Sequence, residues 1–156
     1  NLSSIVAGLQ SDVSNLQNAI VSLSGRMSTV EGEITALKRV AIIFVIDGAG
    51  WPIYSGEKGH LQIPFSCNIT EVSLLADQPG NIVVDIWKDT YTNFPPTIDD
   101  TITASAKPSL NGTQKYTDSI LSGWTKTITV GDILAFSVES CTNITRVTIT
   151  LNVVRH

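Results

Sequence analysis

The chain has 156 residues and a formal net charge of −4, a length that suits one ordinary domain with an appendage. Charged residues make up only 15% of it, well below the usual share of about 25%. No basic stripe is present, which argues against nucleic acid or an anionic membrane as a partner. No run approaches the ~18 consecutive apolar residues of a membrane span, and no secretory signal pattern is present. The chain begins at Asn1 without an initiator Met, which reads as a fragment or a processed product.

The first element in chain order is a heptad repeat. Leu2, Val6, Leu9, Val13, Leu16, Ile20, Leu23, Met27, Val30, Ile34 and Leu37 recur with steps that alternate four and three. Val6, Val13, Ile20, Met27 and Ile34 occupy the a positions; the others take d. A helix packed on a globular core drifts toward a period of 3.6 instead. The flanks agree with a parallel arrangement: Arg26 at g precedes Glu31 at e, and Glu33 precedes Lys38 in the same way. Gly8, Gly25 and Gly32 each cost about 1 kcal/mol against Ala, so this helix is weak by itself. The pattern predicts a coiled-coil stalk over 1–40, spanning roughly 55–60 Å. Its residues would form the seam of a parallel homotrimer. β-branched a with Leu at d can also favour dimers; the β head that follows weighs toward three chains.

The period changes at Val40. Val40–Ile46 is an apolar β-branched run closed by Asp47-Gly48-Ala49-Gly50, a strand followed by a turn. Further strands are expected at 59–66, 68–76, 81–87, 101–106, 119–128, 132–138 and 144–154. Turns are expected at Gln78-Pro79-Gly80, Asn93-Phe94-Pro95-Pro96, Leu110-Asn111-Gly112 and Val130-Gly131-Asp132. Ile82, Val84 and Ile86 alternate onto one face, as do Leu134, Phe136 and Val138, and Val147, Ile149, Leu151 and Val153. The predicted fold class is mainly β with an N-terminal α-helical coiled coil. Residues 41–156 would be an antiparallel, jelly-roll-like β-sandwich head.

Several runs resemble a β domain recurrent in tailed-bacteriophage fibre proteins. They are Gly80–Asp89 (GNIVVDIWKD) with Thr90–Thr97 (TYTNFPPT), Ser122–Thr125 (SGWT) with Val130–Val138 (VGDILAFSV), and Asn68–Asp77 (NITEVSLLAD). The resemblance covers most of 42–155 and implies a trimeric tip on a tail fibre or on the capsid. It transfers no ligand-binding motif, so no site residue comes with it.

Catalytic motifs are absent: no G-x-S-x-G, P-loop, G-x-G-x-x-G or H-E-x-x-H occurs. Asp99-Asp100, with Asp85 and Asp89 near in sequence, are the carboxylates a glycosidase would need facing each other across a sugar. The plainer reading ends a loop in water, and the chain is read as a non-enzyme. His60 is read as a solvated strand-end residue. Neither His60 nor His156 has a partner at metal-ligand spacing, so no metal and no cofactor is expected. Cys67 and Cys141 do not make a disulfide framework; two free thiols are the first reading and a bond between them the second.

Candidate ligand-binding residues are Trp51 and Tyr54 in the Gly-rich loop, Tyr91 and Phe94 around the Pro-Pro turn, and Asp99 and Asp100. Aromatic faces stack on sugar C–H groups, while carboxylates accept from hydroxyls. Trp87 and Trp124 are read as packing residues. The expected function is that of a virion fibre protein, tail or capsid, facing outward and binding a host surface polysaccharide. Its other expected partners are itself and virion proteins joined through a preceding segment. The alternatives are a structural capsid head fibre or decoration protein, and a small glycan hydrolase.

Overall fold

The computed structural model describes residues 1–156, and the chain divides into two units, Asn1–Lys38 and Arg39–His156. The first unit is a single helix, α1 (Leu2–Leu37). The Asn1 side chain starts it by accepting the Ser3 N–H at 2.8 Å, satisfying one of the free donors of the first turn. Ser14, Thr29 and Thr35 donate their hydroxyls to carbonyls four residues back. No residue of α1 is buried, and the seam residues are 44% to 76% exposed.

The expected fold class is corrected on two counts. The N-terminal segment is one helix, not an extended coiled coil bundled as a parallel homotrimer: a heptad seam closes only on another helix, and this chain supplies one. The second unit is one curled sheet, not a two-sheet jelly-roll sandwich.

That sheet contains β1 (Arg39–Asp47), β2 (Gly56–Gln62), β3 (Cys67–Asp89), β4 (Ser109–Asp118), β5 (Thr127–Ile128), β6 (Ile133–Thr142) and β7 (Arg146–Arg155). It has the order β1-β7-β3-β6-β2, with β4 and β5 also on β3, and every pairing is antiparallel. The 23-residue β3 organises it. Residues 67–76 pair with β7 and residues 81–89 with β6, so β6 and β7 lie end to end along one strand. β2 and β1 lie outside them in the same way.

The two halves of the sheet meet along a fold line through 48–55, 76–80 and 143–145. A Cβ on Gly80 would stand 2.5 Å from the Thr142 carbonyl oxygen, so only glycine lets the strands approach there. Asp77 clasps the same line, accepting the N–H groups of Thr145 and Arg146 at 3.1 and 3.0 Å and the Thr145 hydroxyl at 2.5 Å. The Gln78 amide donates to the Asn143 carbonyl. Ile53 N–H reaches Ile144 O at 3.0 Å.

The inner face carries one core. Ile42 and Ile46, Ile69, Val72 and Leu74, Ile82, Val84 and Ile86, Leu134, Phe136 and Val138, and Val147 to Val153 at alternate positions all belong to it. The curl is tight enough that Phe44 of β1 stacks on Phe136 of β6, ring centroids 4.2 Å apart. These three alternating sets share a face as read from the sequence, because period two is imposed by the pleat.

Three local expectations differ from what formed. Gln78-Pro79-Gly80 does not reverse the chain; it is an irregularity inside β3, where the register with β4 shifts. Leu110-Asn111-Gly112 is not a turn but lies in β4, with Gly112 at φ 65° and its N–H held by the Asn81 side chain at 2.8 Å. The strands expected at 101–106 and 119–128 are largely loop. Ala104 and Leu121 take φ of 50° and 51°, and the Asp118 carboxylate caps the N–H groups of Ile120 and Leu121.

Candidate functional site

The outer face of the β2–β6–β3 half is built in rows across the strands. His60 stands opposite Ala135, and Ala135 opposite Trp87; one pleat further on, Gln62 stands opposite Ile133, and Ile133 opposite Asp89. Beyond Asp89 the chain makes a 3-10 turn at Tyr91–Asn93. The turn is pinned by Asp89, whose carboxylate accepts Thr90 N–H at 2.6 Å and the Asn93 amide at 3.1 Å. These hydrogen bonds, that from the Thr90 backbone foremost, hold the Asp89 carboxyl below its ordinary value, so it stays ionised at neutral pH.

The turn brings Phe94 back over the sheet. Its ring meets the His60 imidazole edge-on, with centroids 4.9 Å apart and planes at 65°, a favoured aromatic geometry. His60, Gln62, Tyr91, Phe94 and Ile133 line a groove of about 430 Å³. Tyr91 and Phe94 remain 71% and 52% exposed. His60 Nδ1 lies 3.8 Å from Glu57 Oε1, while its Nε2 is buried without a hydrogen-bond partner. His60 is therefore not the solvated strand-end residue expected: the ring is half-buried under Phe94.

Behind the groove lies a buried carboxylate. Asp85, 1% exposed, accepts from Thr101 and Thr103 hydroxyls at 2.6 Å each, from Trp87 Nε1 at 3.0 Å and from its neighbour Ile86 N–H at 2.8 Å. Lys107 Nζ lies 3.1 Å from Oδ2, the oxygen that Trp87 also reaches, and pairs with Glu139 as well. Burial pushes the Asp85 carboxyl up, but the hydroxyl, indole and ammonium donors outweigh it and the value falls. The Trp87 indole is thereby held through its N–H. Trp124 is buried, its Nε1 donating to Ala106 O at 2.8 Å. Cys67 and Cys141 are both free.

The structure separates the sequence candidates. Tyr91 and Phe94 share the groove. Trp51 and Tyr54, exposed at 69% and 77%, sit in the loop before Gly56, at the other end of β2 from Gln62. That distance is about 20 Å of extended chain. Asp100 is occupied locally: its carboxylate accepts the Thr97 N–H at 2.7 Å and the Thr97 hydroxyl at 2.9 Å, closing a capping box. Asp99 faces water. Sequence reading missed His60 and Gln62 as groove residues. Their one signal was a shared strand face two residues apart; which strand lies beside that face is a matter of register.

No family model and no curated protein matches the chain. Among solved structures, the SPBc2 prophage-derived protein YomS aligns at 10% identity over 72% of this chain and 95% of its own, with a TM-score of 0.35. The K3 cleaved adhesin domain of Lys-gingipain from Porphyromonas gingivalis w83 aligns at 11% over 76% and 74%, TM-score 0.37. A carbohydrate-binding module from glycoside hydrolase family 9 (Cel9A) of Ruminococcus flavefaciens FD-1 aligns at 15% over 64% and 98%, TM-score 0.33. Likeness this distant carries no inference about what the chain does. No helix is long and apolar enough to cross a membrane.

Proposed function

We propose that the chain is part of a bacteriophage fibre protein on the virion surface, and that its β unit is a non-catalytic module that binds host surface polysaccharide. The observation that carries this reading is the groove itself. Two exposed aromatic rings, Tyr91 and Phe94, stand over a sheet face that offers Gln62 and a half-buried imidazole. Aromatic faces take the C–H side of a sugar ring, and the exposed Gln62 amide takes its hydroxyls. The runs resembling phage fibre domains, Gly80–Thr97 above all, include the segment that builds the groove rim. The carboxylates nearest in sequence are engaged elsewhere: Asp85 in its buried network, Asp89 and Asp100 in turns.

Titration calorimetry of the full chain against purified bacterial envelope polysaccharides tests the reading. Saturable binding is expected, with no release of reducing ends. Tyr91→Ala and Phe94→Ala should each weaken it about tenfold, ~1.4 kcal/mol. Binding that survives both changes would move the site elsewhere. Cleavage of the polysaccharide would replace a binding module with a hydrolase, and no binding to any envelope fraction would leave a structural virion component.

A further inference from the structure

The sheet has an outermost strand whose free side no other strand pairs. β1 pairs on one side only, with β7. Open edges are ordinarily blunted by charge, proline or a bulge. β2 carries Glu57 and Lys58 and a register break between Glu57 and Gly59. β4 carries Lys115 and breaks register with β3 twice. β1 has none of these: nine residues, RVAIIFVID, in unbroken register, with charge only at its two ends.

Its hydrogen-bonding parity is set by the neighbouring turn. Gly48 N–H donates to Thr145 O, next to the Asp47–Arg146 pair. Counting back, even-numbered residues of β1 face β7, while Arg39, Ala41, Ile43, Val45 and Asp47 turn their N–H and C=O groups to the open edge. The same five residues place their side chains on the exposed face. Ile43 and Val45 are 57% and 51% exposed. Neither Arg39 nor Asp47 has an ionic partner.

We infer that the β1 edge is an interface for a second copy of this chain, joined by antiparallel β1–β1 pairing about a twofold axis through Ile43. The strand is complementary to itself in that register and in charge. Arg39 meets Asp47 of the second copy at both ends, Ala41 meets Val45, and Ile43 meets Ile43. Each of these pairs joins residues that both present free backbone groups to the edge, so every pairing closes hydrogen bonds as well as burying side chains. An isologous contact of this kind closes on itself and does not propagate into a fibre. It is independent of the glycan groove, which lies on the other half of the sheet.

The test introduces one cysteine at a time into the full chain with its own two free thiols removed (Cys67→Ala, Cys141→Ala), under mild oxidation, with Ile120→Cys, at an exposed loop position, as the collision control. Directly opposed residues of a hydrogen-bonded pair lie about 5.5 Å apart, within disulfide reach. Ile43→Cys should cross-link at least about tenfold faster than the control. Ala41→Cys alone should match the control, and a mixture of Ala41→Cys and Val45→Cys chains should cross-link as fast as Ile43→Cys. In sedimentation, Ile43→Lys should shift the chain toward lower mass. Equal rates at 41, 43 and 45 singly would mean parallel association, and Ile43→Cys at the control rate would mean no contact at this edge. Either result overturns the inference.

Discussion

The two units dispose of their apolar residues in opposite ways. α1 presents a stripe from Leu2 to Leu37 and buries none of it. The sheet curls its stripes into one core whose members, such as Leu74, Val84 and Leu134, are fully buried. Both patterns are regular; what differs is whether the chain contains the complementary surface. A pleated sheet can roll until its own face is covered, whereas a single straight helix cannot. Stability of the β unit is therefore a property of this chain, while burial of the helix stripe is not.

The largest expected effect sharpens that contrast. Phe136→Ala removes a ring stacked on Phe44 and should lower the unfolding free energy of the β unit by about 3–5 kcal/mol. Leu16→Ala, at a residue 63% exposed, should leave the β unit's urea midpoint unchanged. Equal shifts for the two would break the comparison.

A smaller cost is expected at Asp85. Asp85→Asn weakens the hydrogen bonds from Thr101, Thr103 and Trp87 while Lys107 keeps Glu139, and should cost about 1–3 kcal/mol in urea unfolding. The pH dependence carries a sign. The folded-state pKa of Asp85 lies below its ordinary 3.8, so its contribution is fully present above that value and is lost as pH falls through the folded value. Asp77 and Asp89 are lowered as well, Asp77 by the Thr145 hydroxyl first and Asp89 by the Thr90 N–H first. Melting temperature should hold steady from neutral pH down to about 4 and drop below it. The drop should be shallower in Asp85→Asn. A profile unchanged by that substitution would remove Asp85 from the acid response.

The smallest effects compare glycines. Gly80→Ala sets a Cβ against the Thr142 carbonyl and should destabilise the β unit by about 1–3 kcal/mol. Gly25→Ala meets nothing within 4 Å and should instead favour the helix by about 1 kcal/mol, read as increased far-ultraviolet ellipticity. A gain at Gly80 or a loss at Gly25 would contradict the packing described for each.

Much of the sheet was legible in the residue pattern. The alternation in β6 and β7 marked their core faces, and the β-branched run marked β1. The turn at Val130-Gly131-Asp132 formed as read, with Asp132 N–H on Thr129 O at 3.0 Å. The groove was half legible: Tyr91 and Phe94 stood out as aromatics among turn residues, but His60 and Gln62 did not. Trp51 and Tyr54 carried the same aromatic signal and lie at the other end of β2. Composition marks an exposed ring; it says nothing of which strand lies beneath it.

The sequence by itself determined the periods: heptads through Leu37, then alternation from Val40, because side-chain spacing along a helix or a strand is a local property of the backbone. Tertiary structure alone decided how Gln78-Pro79-Gly80 was used. The same residues can reverse a chain or kink a strand. Here Gly80 against Thr142 and Asp77 against Thr145 and Arg146 carry β3 across the fold line as one continuous strand, and so one curled sheet forms where two were expected. Those contacts join residues more than sixty positions apart, and no local pattern encodes a pairing at that distance.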